Sequence, residues 1–294
     1  MRAKKTEDDR IGVRKTYKLY IGGAFPRSES GRSYPVTNHD GDFAANAALA
    51  SRKDARDAVV AARAAFGGWS RATAYNRGQV LYRVAEVMEG RRDQFVTEVR
   101  DAEGGKFDVA AAAVDAAIDR VVWYAGWADK VAQVVGAANP VAGPFFDFSV
   151  PEPTGVVAIA APATSSLLGL VSVLLPVIAT GNTTVVLASE LRPLAAITLT
   201  EVLATSDLPG GVVNMLTGRV AEVAPWLASH ADVNGLDLTG IPLALWRDLE
   251  IAAADNLKRV RRPDDVEPDW SRDPGTDRLT TFLETKTVWH PLGV

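Results

Sequence analysis

Apolar and polar positions follow two different periods along this chain. In the N-terminal part the repeat is helical. Ala58, Val59, Ala62 and Phe66 share one stripe, and Asp54 stands where an N-cap belongs, which predicts a helix over 55–66. Val80, Leu81, Val84, Val87, Met88, Phe95 and Val99 predict a second over 76–100. An alanine-rich stretch predicts a third over 109–134, packed closely on its neighbours. Ahead of them, residues 17–24 alternate and reach Gly22-Gly23, the opening of a hairpin.

The texture changes after residue 139. Residues 140–153 place Phe145, Phe146 and Phe148 between prolines and read as an extended arm at a domain edge. From 155 onward short strand-like runs alternate with helical ones. Strands are predicted at 155–160, 183–187, 212–216 and 235–238, and helices at 167–179, 194–205, 220–229 and 243–257. Strands joined by helices make a parallel sheet covered on both faces. The fold class is therefore α/β, with a doubly wound, Rossmann-like parallel sheet. Residues 261–278 carry Asp, Pro and Arg with almost nothing apolar, and read as a linker, mobile unless it docks on a partner. The run 279–289 alternates again, with Leu283, Thr285, Thr287 and Trp289 on one face and Glu284 and Lys286 on the other. A strand placed after a linker has a pairing partner that is not adjacent in sequence. No internal repeat is found.

Composition narrows the function. Hydrophobic residues at 47% and charged residues at 23% suit an ordinary globular protein. A net charge of −4 gives no electrostatic basis for binding nucleic acid or an anionic membrane, so neither is expected as a partner. The chain has no cysteine, which excludes disulfides and thiolate chemistry alike. His39, His230 and His290 lie far apart without ligand spacing, so no zinc site is expected. The longest apolar run, 167–179, is interrupted by Gly169, Ser172 and Pro176 and falls short of the ~20 residues that cross a bilayer. Residues 1–16 are charged and polar, without the apolar centre of a signal peptide, and read as a disordered arm; the expected location is the cytoplasm.

Several segments, in order and spacing, resemble the aldehyde dehydrogenase superfamily. Tyr20-Ile21-Gly22-Gly23 with Ser30-Gly31-Arg32 is similar to its N-terminal hairpin, and Asp57 to Phe66 with Trp69 to its first helix. Trp123-Tyr124-Ala125-Gly126-Trp127-Ala128-Asp129-Lys130 is close to a family signature, as is Glu152-Pro153-Thr154-Gly155. Ala179-Thr180-Gly181-Asn182, Leu208-Pro209-Gly210-Gly211 and Leu216-Thr217-Gly218 also fit. The resemblance covers about 17–260 and resumes at 279–290, with the catalytic domain between them missing. It implies a domain organisation of a disordered arm (1–16), an NAD-binding-type domain (17–262) with an oligomerisation arm at 140–153, a linker (263–278) replacing the catalytic domain, and an oligomerisation tail strand (279–294). In the family, arm and tail build the subunit interface, with the tail of one subunit extending a sheet of another. The resemblance thus marks Phe145, Phe146, Phe148, Leu283, Thr285, Thr287 and Trp289 as oligomerisation residues.

The chemistry that the resemblance implies is degenerate. Asn256-Leu257-Lys258-Arg259-Val260 is similar to the run-up to the family's general-base glutamate, but Pro263 occupies that position, and proline has no ionisable group. The family nucleophile is a cysteine, which is absent. Where an asparagine would donate to the developing oxyanion stands Thr164; losing such a donor typically costs ~3 kcal/mol or more. Ala188-Ser189-Glu190 stands where lysine and glutamate hold the adenosine ribose, so Glu190 can still accept from a hydroxyl but Ala188 cannot replace lysine. Thr239-Gly240 is followed by Ile241-Pro242, which sets a branched apolar side chain at the pyrophosphate position and removes an N–H donor. Residual cofactor contacts are therefore expected from Ser189, Glu190, Gly218 and Gly240, with no catalytic residue and doubtful NAD(P) binding.

Other suggestive motifs have plain explanations. Gly104-Gly105-Lys106 lacks phosphate-loop spacing and reads as a helix-terminating turn. Ser165-Ser166 lacks a Gly-x-Ser-x-Gly elbow and reads as a helix cap. Asn182-Thr183-Thr184 fits a glycosylation sequon that a cytoplasmic chain would leave unmodified. The resulting expectation is an inactive aldehyde dehydrogenase homologue that oligomerises with itself or with a full-length active relative. The alternatives are an NAD(P)-binding module without chemistry and an oxidoreductase subunit active only within a hetero-oligomer.

Overall fold

The computed structural model of the chain describes residues 15–293, so the disordered arm expected at 1–16 lies almost wholly outside the described residues. The first elements are β1 (Thr16–Tyr17), β2 (Ser33–Thr37) and β3 (Phe43–Ala48), which form a small sheet of order β1-β3-β2. Between β1 and β2, Ile21 and Ala24 exchange backbone hydrogen bonds of 3.0 Å around Gly22 and Gly23. Those glycines have φ of 61° and 86°, a turn that residues with a side chain rarely adopt.

Helix α1 (Arg52–Arg71) starts earlier than its apolar stripe predicts. Ser51 is the N-cap, accepting from Asp54 N at 3.3 Å, while the Asp54 carboxylate accepts from Ser51 N at 2.8 Å. Asp54 is therefore the reciprocal member of a capping box and not the cap itself. The helix predicted over 76–100 is two, α2 (Ala74–Gly90) and α3 (Arg92–Glu103). They part at Gly90, a poor helix former, beyond which Arg91 meets Glu201 at 2.7 Å. Gly104 ends α3, as the helix-terminating turn predicts, and α4 (Phe107–Trp127) and α5 (Val131–Val135) divide the third predicted helix.

After β4 (Ala137–Asn139) and β5 (Phe145–Pro153) come β6 (Val156–Ala160), α6 (Leu168–Ala179), β7 (Thr183–Leu187), α7 (Leu194–Ala204), β8 (Val213–Leu216), α8 (Val220–Ser229), β9 (Gly235–Asp237), α9 (Trp246–Ala254) and β10 (Arg259–Arg261). A short α10 (Asp277–Thr280) leads into β11 (Leu283–Pro291). The central sheet is parallel throughout, in the order β10-β9-β6-β7-β8. Every residue of β6 and β7 is buried, as both faces require. Val157, Ile159 and Val186 point to a layer containing α2, α3, α4, α6 and α7. Val156, Ala158, Ala160, Val185 and Leu187 point to the layer of α1, α8 and α9. All twelve residues of α6 are buried, so it is apolar on every side instead of striped.

Tail and arm meet within one chain. β11 pairs antiparallel with β5 from Leu283 opposite Pro153 to Pro291 opposite Phe145, and β4 covers the other edge of β5. The partner strand expected from another subunit is thus supplied in cis. Asn182, the asparagine of the glycosylation sequon, is fully buried. Its side chain accepts from Gly155 N at 2.9 Å and donates to Phe282 O at 3.0 Å, which fixes the start of β6 to the entry of the tail.

One polar group intrudes on the α3–α7 layer. Glu98 Oε1 accepts from Thr198 at 2.8 Å and from Tyr17 and Gln94 at 3.2 Å, while its Oε2 is buried with no partner among the described residues. Burial raises the carboxyl above its ordinary pKa, against the pull of these hydrogen bonds. Over that raised interval the folded state holds a proton that the unfolded state has released, so stability falls as pH rises through it. Glu98→Gln is expected to flatten this fall. Melting curves of both proteins from about pH 4 to about pH 8 check it, and identical pH slopes would rule it out.

Candidate functional site

In a parallel α/β sheet, ligands enter the crevice beyond the carboxyl ends of the strands where the strand order reverses. Here the chain runs outward from β6 through β7 to β8 and then returns to β9 on the other side of β6. The candidate crevice therefore lies between the ends of β6 and β9. It is closed by the protein's own backbone. Gly240 N donates to Ala160 O at 3.0 Å, and a Cβ on Gly240 would lie 1.8 Å from Ala161 O. Ile241 N donates to Leu238 O at 2.9 Å. The Ile241 side chain, expected at the pyrophosphate position, instead turns inward at 4% exposure, among Leu227, Leu236 and Leu238. The cavity left there is about 20 Å³, room for about one water. Helix α9 starts at Trp246, beyond the predicted 243, because Leu245 N turns back to Pro242 O at 2.8 Å. The N–H groups that would cradle a phosphate are consequently either committed or displaced.

The remaining cofactor-site candidates also have internal partners. The Glu190 carboxylate accepts from Arg219 at 2.5 Å and from Val220 N at 3.1 Å, where it caps α8 and complements its dipole. Ser189 is buried, donating to Ala163 O at 3.0 Å and accepting from Arg192 N at 3.2 Å. Gly218 brings the chain against Ala50, with a would-be Cβ 3.1 Å from Ala50 N. Glu190, Ser189 and Gly218 hold loops together at the edge of the crevice and do not converge on it.

Residues 261–278 were expected to be mobile unless they docked on a partner, yet β10 and α10 take up their ends and 262–276 lie across their own domain. The Glu267 carboxylate accepts from Thr164 N at 2.9 Å and Ser165 N at 3.0 Å. Ser166 N and Oγ both donate to Glu103, at 2.5 and 2.6 Å. Ser165 Oγ accepts from Gly169 N at 2.9 Å, but the N-cap position of α6 is Leu167, so neither serine of the pair is the helix cap that the sequence predicts. The Thr164 side chain is exposed, and its carbonyl receives Arg192. Pro263 stands two residues beyond the end of β10, at the start of the crossing segment. Trp270 packs against the core beside Gly169 and donates to Glu267 at 3.1 Å.

Two buried arginines anchor the segment. Arg120 donates to Trp270 O and Arg272 O, both at 2.8 Å, and to Ser172 Oγ at 2.7 Å. Arg278 pairs with Asp237, at the end of β9, at 2.9 Å. Burial pulls both guanidinium groups below the ordinary arginine pKa, with Asp237 opposing the shift at Arg278. Among the described residues no group of three His, Asp or Glu side chains is placed to hold a metal, and no helix is long and apolar enough to cross a membrane.

The aldehyde dehydrogenase family profile matches residues 25–261. The chain belongs to the aldehyde dehydrogenase family. It is 34% identical over 249 residues to retinal dehydrogenase 2 of Homo sapiens, a match that takes in 83% of this chain and 47% of the relative. Against the cytosolic 10-formyltetrahydrofolate dehydrogenase of Mus musculus it is 32% identical over 260 residues, 85% of this chain and 28% of the relative. The crystal structure of HpcC from Thermus thermophilus superposes with a TM-score of 0.80 at 30% identity, covering 84% of this chain and 48% of that one. An aldehyde dehydrogenase from Bacillus cereus in complex with NAD+ gives a TM-score of 0.78 at 25% identity, covering 84% and 50%. The chain therefore carries the Rossmann-like fold of this family and spans about half the length, or less, of the relatives it matches.

Within this aldehyde dehydrogenase fold the expected oligomerisation residues separate. The two-residue period of β5 puts Phe145 on the face of Trp289, with ring centroids 5.7 Å apart. Phe146 and Phe148, 5.5 Å apart, lie on the opposite face. Phe146 is 50% and Trp289 58% exposed, so both faces of the arm sheet present aromatic surface. Thr285 and Thr287 are exposed, and Thr287 shares a 2.8 Å hydrogen bond with Ser149. Leu283 is a correction: at 8% exposure it belongs to the chain's own core with Leu279 and Phe282. Pattern reasoning did not foresee Glu267, Trp270, Arg120 and Arg278. The one signal was a lone tryptophan in an otherwise polar segment.

Proposed function

We propose that this chain is a catalytically inactive aldehyde dehydrogenase homologue that acts as a structural or regulatory subunit, assembling with a full-length member of the family. The observation that carries the proposal is the arm sheet. Its central strand is already paired on both edges, yet Phe145, Phe146 and Trp289 remain exposed on its two faces. Monomeric proteins seldom leave such a surface open. The contact offered is consequently the sheet's faces and the outer edge of β11, not the edge of β5.

Inactivity is supported by the chemistry present. There is no cysteine, Pro263 follows β10, and Glu267 holds the backbone N–H groups of Thr164 and Ser165. A dinucleotide fits poorly, since Glu190 is paired with Arg219, Gly240 N is bonded to Ala160 O and Ile241 fills the slot between β9 and α8.

Light scattering on the protein alone, and after co-expression with a full-length aldehyde dehydrogenase from the same genome, tests the assembly. The expected result is a stable mixed oligomer that F146D/W289D dissociates into folded components. A monomer unchanged by the relative would end the proposal. The alternative, an NAD(P)-binding module without chemistry, draws support from the retained fold. Calorimetric titration decides it: the proposal expects no heat from NAD+ or NADP+, whereas the alternative requires binding that Glu190→Gln weakens about tenfold or more, the loss of about 1.4 kcal/mol or more expected for a charge-assisted hydrogen bond.

A further inference from the structure

A second cavity, of about 140 Å³, lies between α4, α6 and the crossing segment. Arg120, Arg261, Arg272 and Arg278 line it, together with Tyr124, Ser172 and two carboxylates, Asp269 and Asp273. Four guanidinium groups around one small space demand an accounting of their counter-charges. Arg278 is matched by Asp237 at 2.9 Å, and Arg272 by Asp269 at 3.3 Å. The other two have no such match among the described residues. Every hydrogen bond from Arg120 goes to a neutral oxygen, on Ser172, Trp270 and Arg272. Arg261 Nε is buried with no hydrogen-bond partner, and its side chain takes part in no ion pair among the described residues. Asp273 and Asp264 are near enough to act on Arg120 and Arg278 through space, but they hydrogen-bond to neither. Asp273 instead accepts from Gly275 N at 2.9 Å. The Tyr124 hydroxyl is pushed up to about 12 by burial and stays protonated, donating to Ser172 O at 3.4 Å.

A buried cation without a partner is strongly unfavourable, and a buried donor left unmade costs its desolvation. Guanidinium groups satisfy that need best with a planar or tetrahedral oxyanion held through two N–H bonds. We propose that this cavity binds a small oxyanion, either a short-chain carboxylate or a phosphate group, between Arg120 and Arg261. The volume admits an anion of that size with a water but not a dinucleotide. Because Trp270 and Arg272 belong to the crossing segment, an anion there fastens the segment over the loop at Thr164. The proposal is independent of the oligomer, since none of these residues lies on the arm sheet.

The test uses the full chain at constant ionic strength. Melting temperature and calorimetric heat are followed against inorganic phosphate and against acetate, propionate and butyrate, with chloride as the reference anion. Binding should be saturable, and the melting temperature should rise with ligand concentration beyond its Kd. Phosphate binding without carboxylate binding assigns the site to a phosphoryl group; affinity growing from acetate to butyrate assigns it to a short-chain acid. Arg261→Met should weaken binding by about tenfold or more while folding normally, because it removes no existing hydrogen bond of the side chain. Arg83→Met, on the exposed surface of α2, should bind as the unaltered protein does. Chloride matching every other anion, or full affinity in folded R261M, would overturn the proposal.

Discussion

Arg278→Met is expected to lower stability by about 3–5 kcal/mol, the usual cost of leaving a buried charge without its partner. Asp237 is 1% and Arg278 9% exposed, and the contact between them is 2.9 Å. Thr239 would still donate to Asp237 Oδ1, but Oδ2 would face protein without a donor. The melting temperature should fall on the order of 10 °C, and denaturant titration measures the free energy directly. Arg278 also anchors the crossing segment, so limited proteolysis should cut 262–276 faster in the variant. D237L/R278M should recover much of the loss, since removing both charges of a buried pair is far milder than removing one. A single-variant loss below about 1 kcal/mol would mean that Asp237 is compensated from elsewhere.

Gly240→Ala is expected to be more damaging still, leaving little folded protein. The new Cβ would stand 1.8 Å from Ala161 O and 2.9 Å from Ala160 O, both backbone atoms. Neither side can yield cheaply. Ala161 N is bonded to Leu187 O at 2.8 Å, and Gly240 N to Ala160 O at 3.0 Å. Relief requires parting the ends of β6 and β9, so a loss above about 4 kcal/mol follows, in the range reserved for severe steric or core defects. Soluble yield and circular dichroism check this. A well-folded G240A protein would show that the loop after β9 can move away from β6, which would reopen the crevice to a ligand.

Much of the central domain was legible because its strands and helices bury apolar surface with regular spacing. β7 and α8 occupy 183–187 and 220–229, as their patterns predict. The parallel sheet and its two covering layers follow from the same pattern. Ends were read less well, because they depend on single hydrogen bonds: Ser51 caps α1 where Asp54 was expected, and Pro242 delays α9. The site residues were the hardest. Glu190 and Gly240 were expected as residual cofactor contacts, but only three-dimensional proximity reveals that Arg219 and Ala160 take them up. Residues 261–278 read as a linker, mobile unless docked on a partner, because hydrophobic periodicity registers apolar burial alone. This segment docks through Glu267, Arg120 and Arg278, together with one tryptophan.

The pairing of β11 with β5 sets the order in which the molecule can be completed. Leu283 must find Pro153, and Pro291 must find Phe145, each over a hundred residues earlier in the chain. Closing so long a loop is slow compared with forming the local helix–strand units that precede it. During synthesis the sheet of β6 to β9 can assemble while β5 waits with one edge bare, an edge that invites other chains. β4 guards only the opposite side. The interval before β11 emerges is therefore when the arm of this protein is most exposed to misassembly.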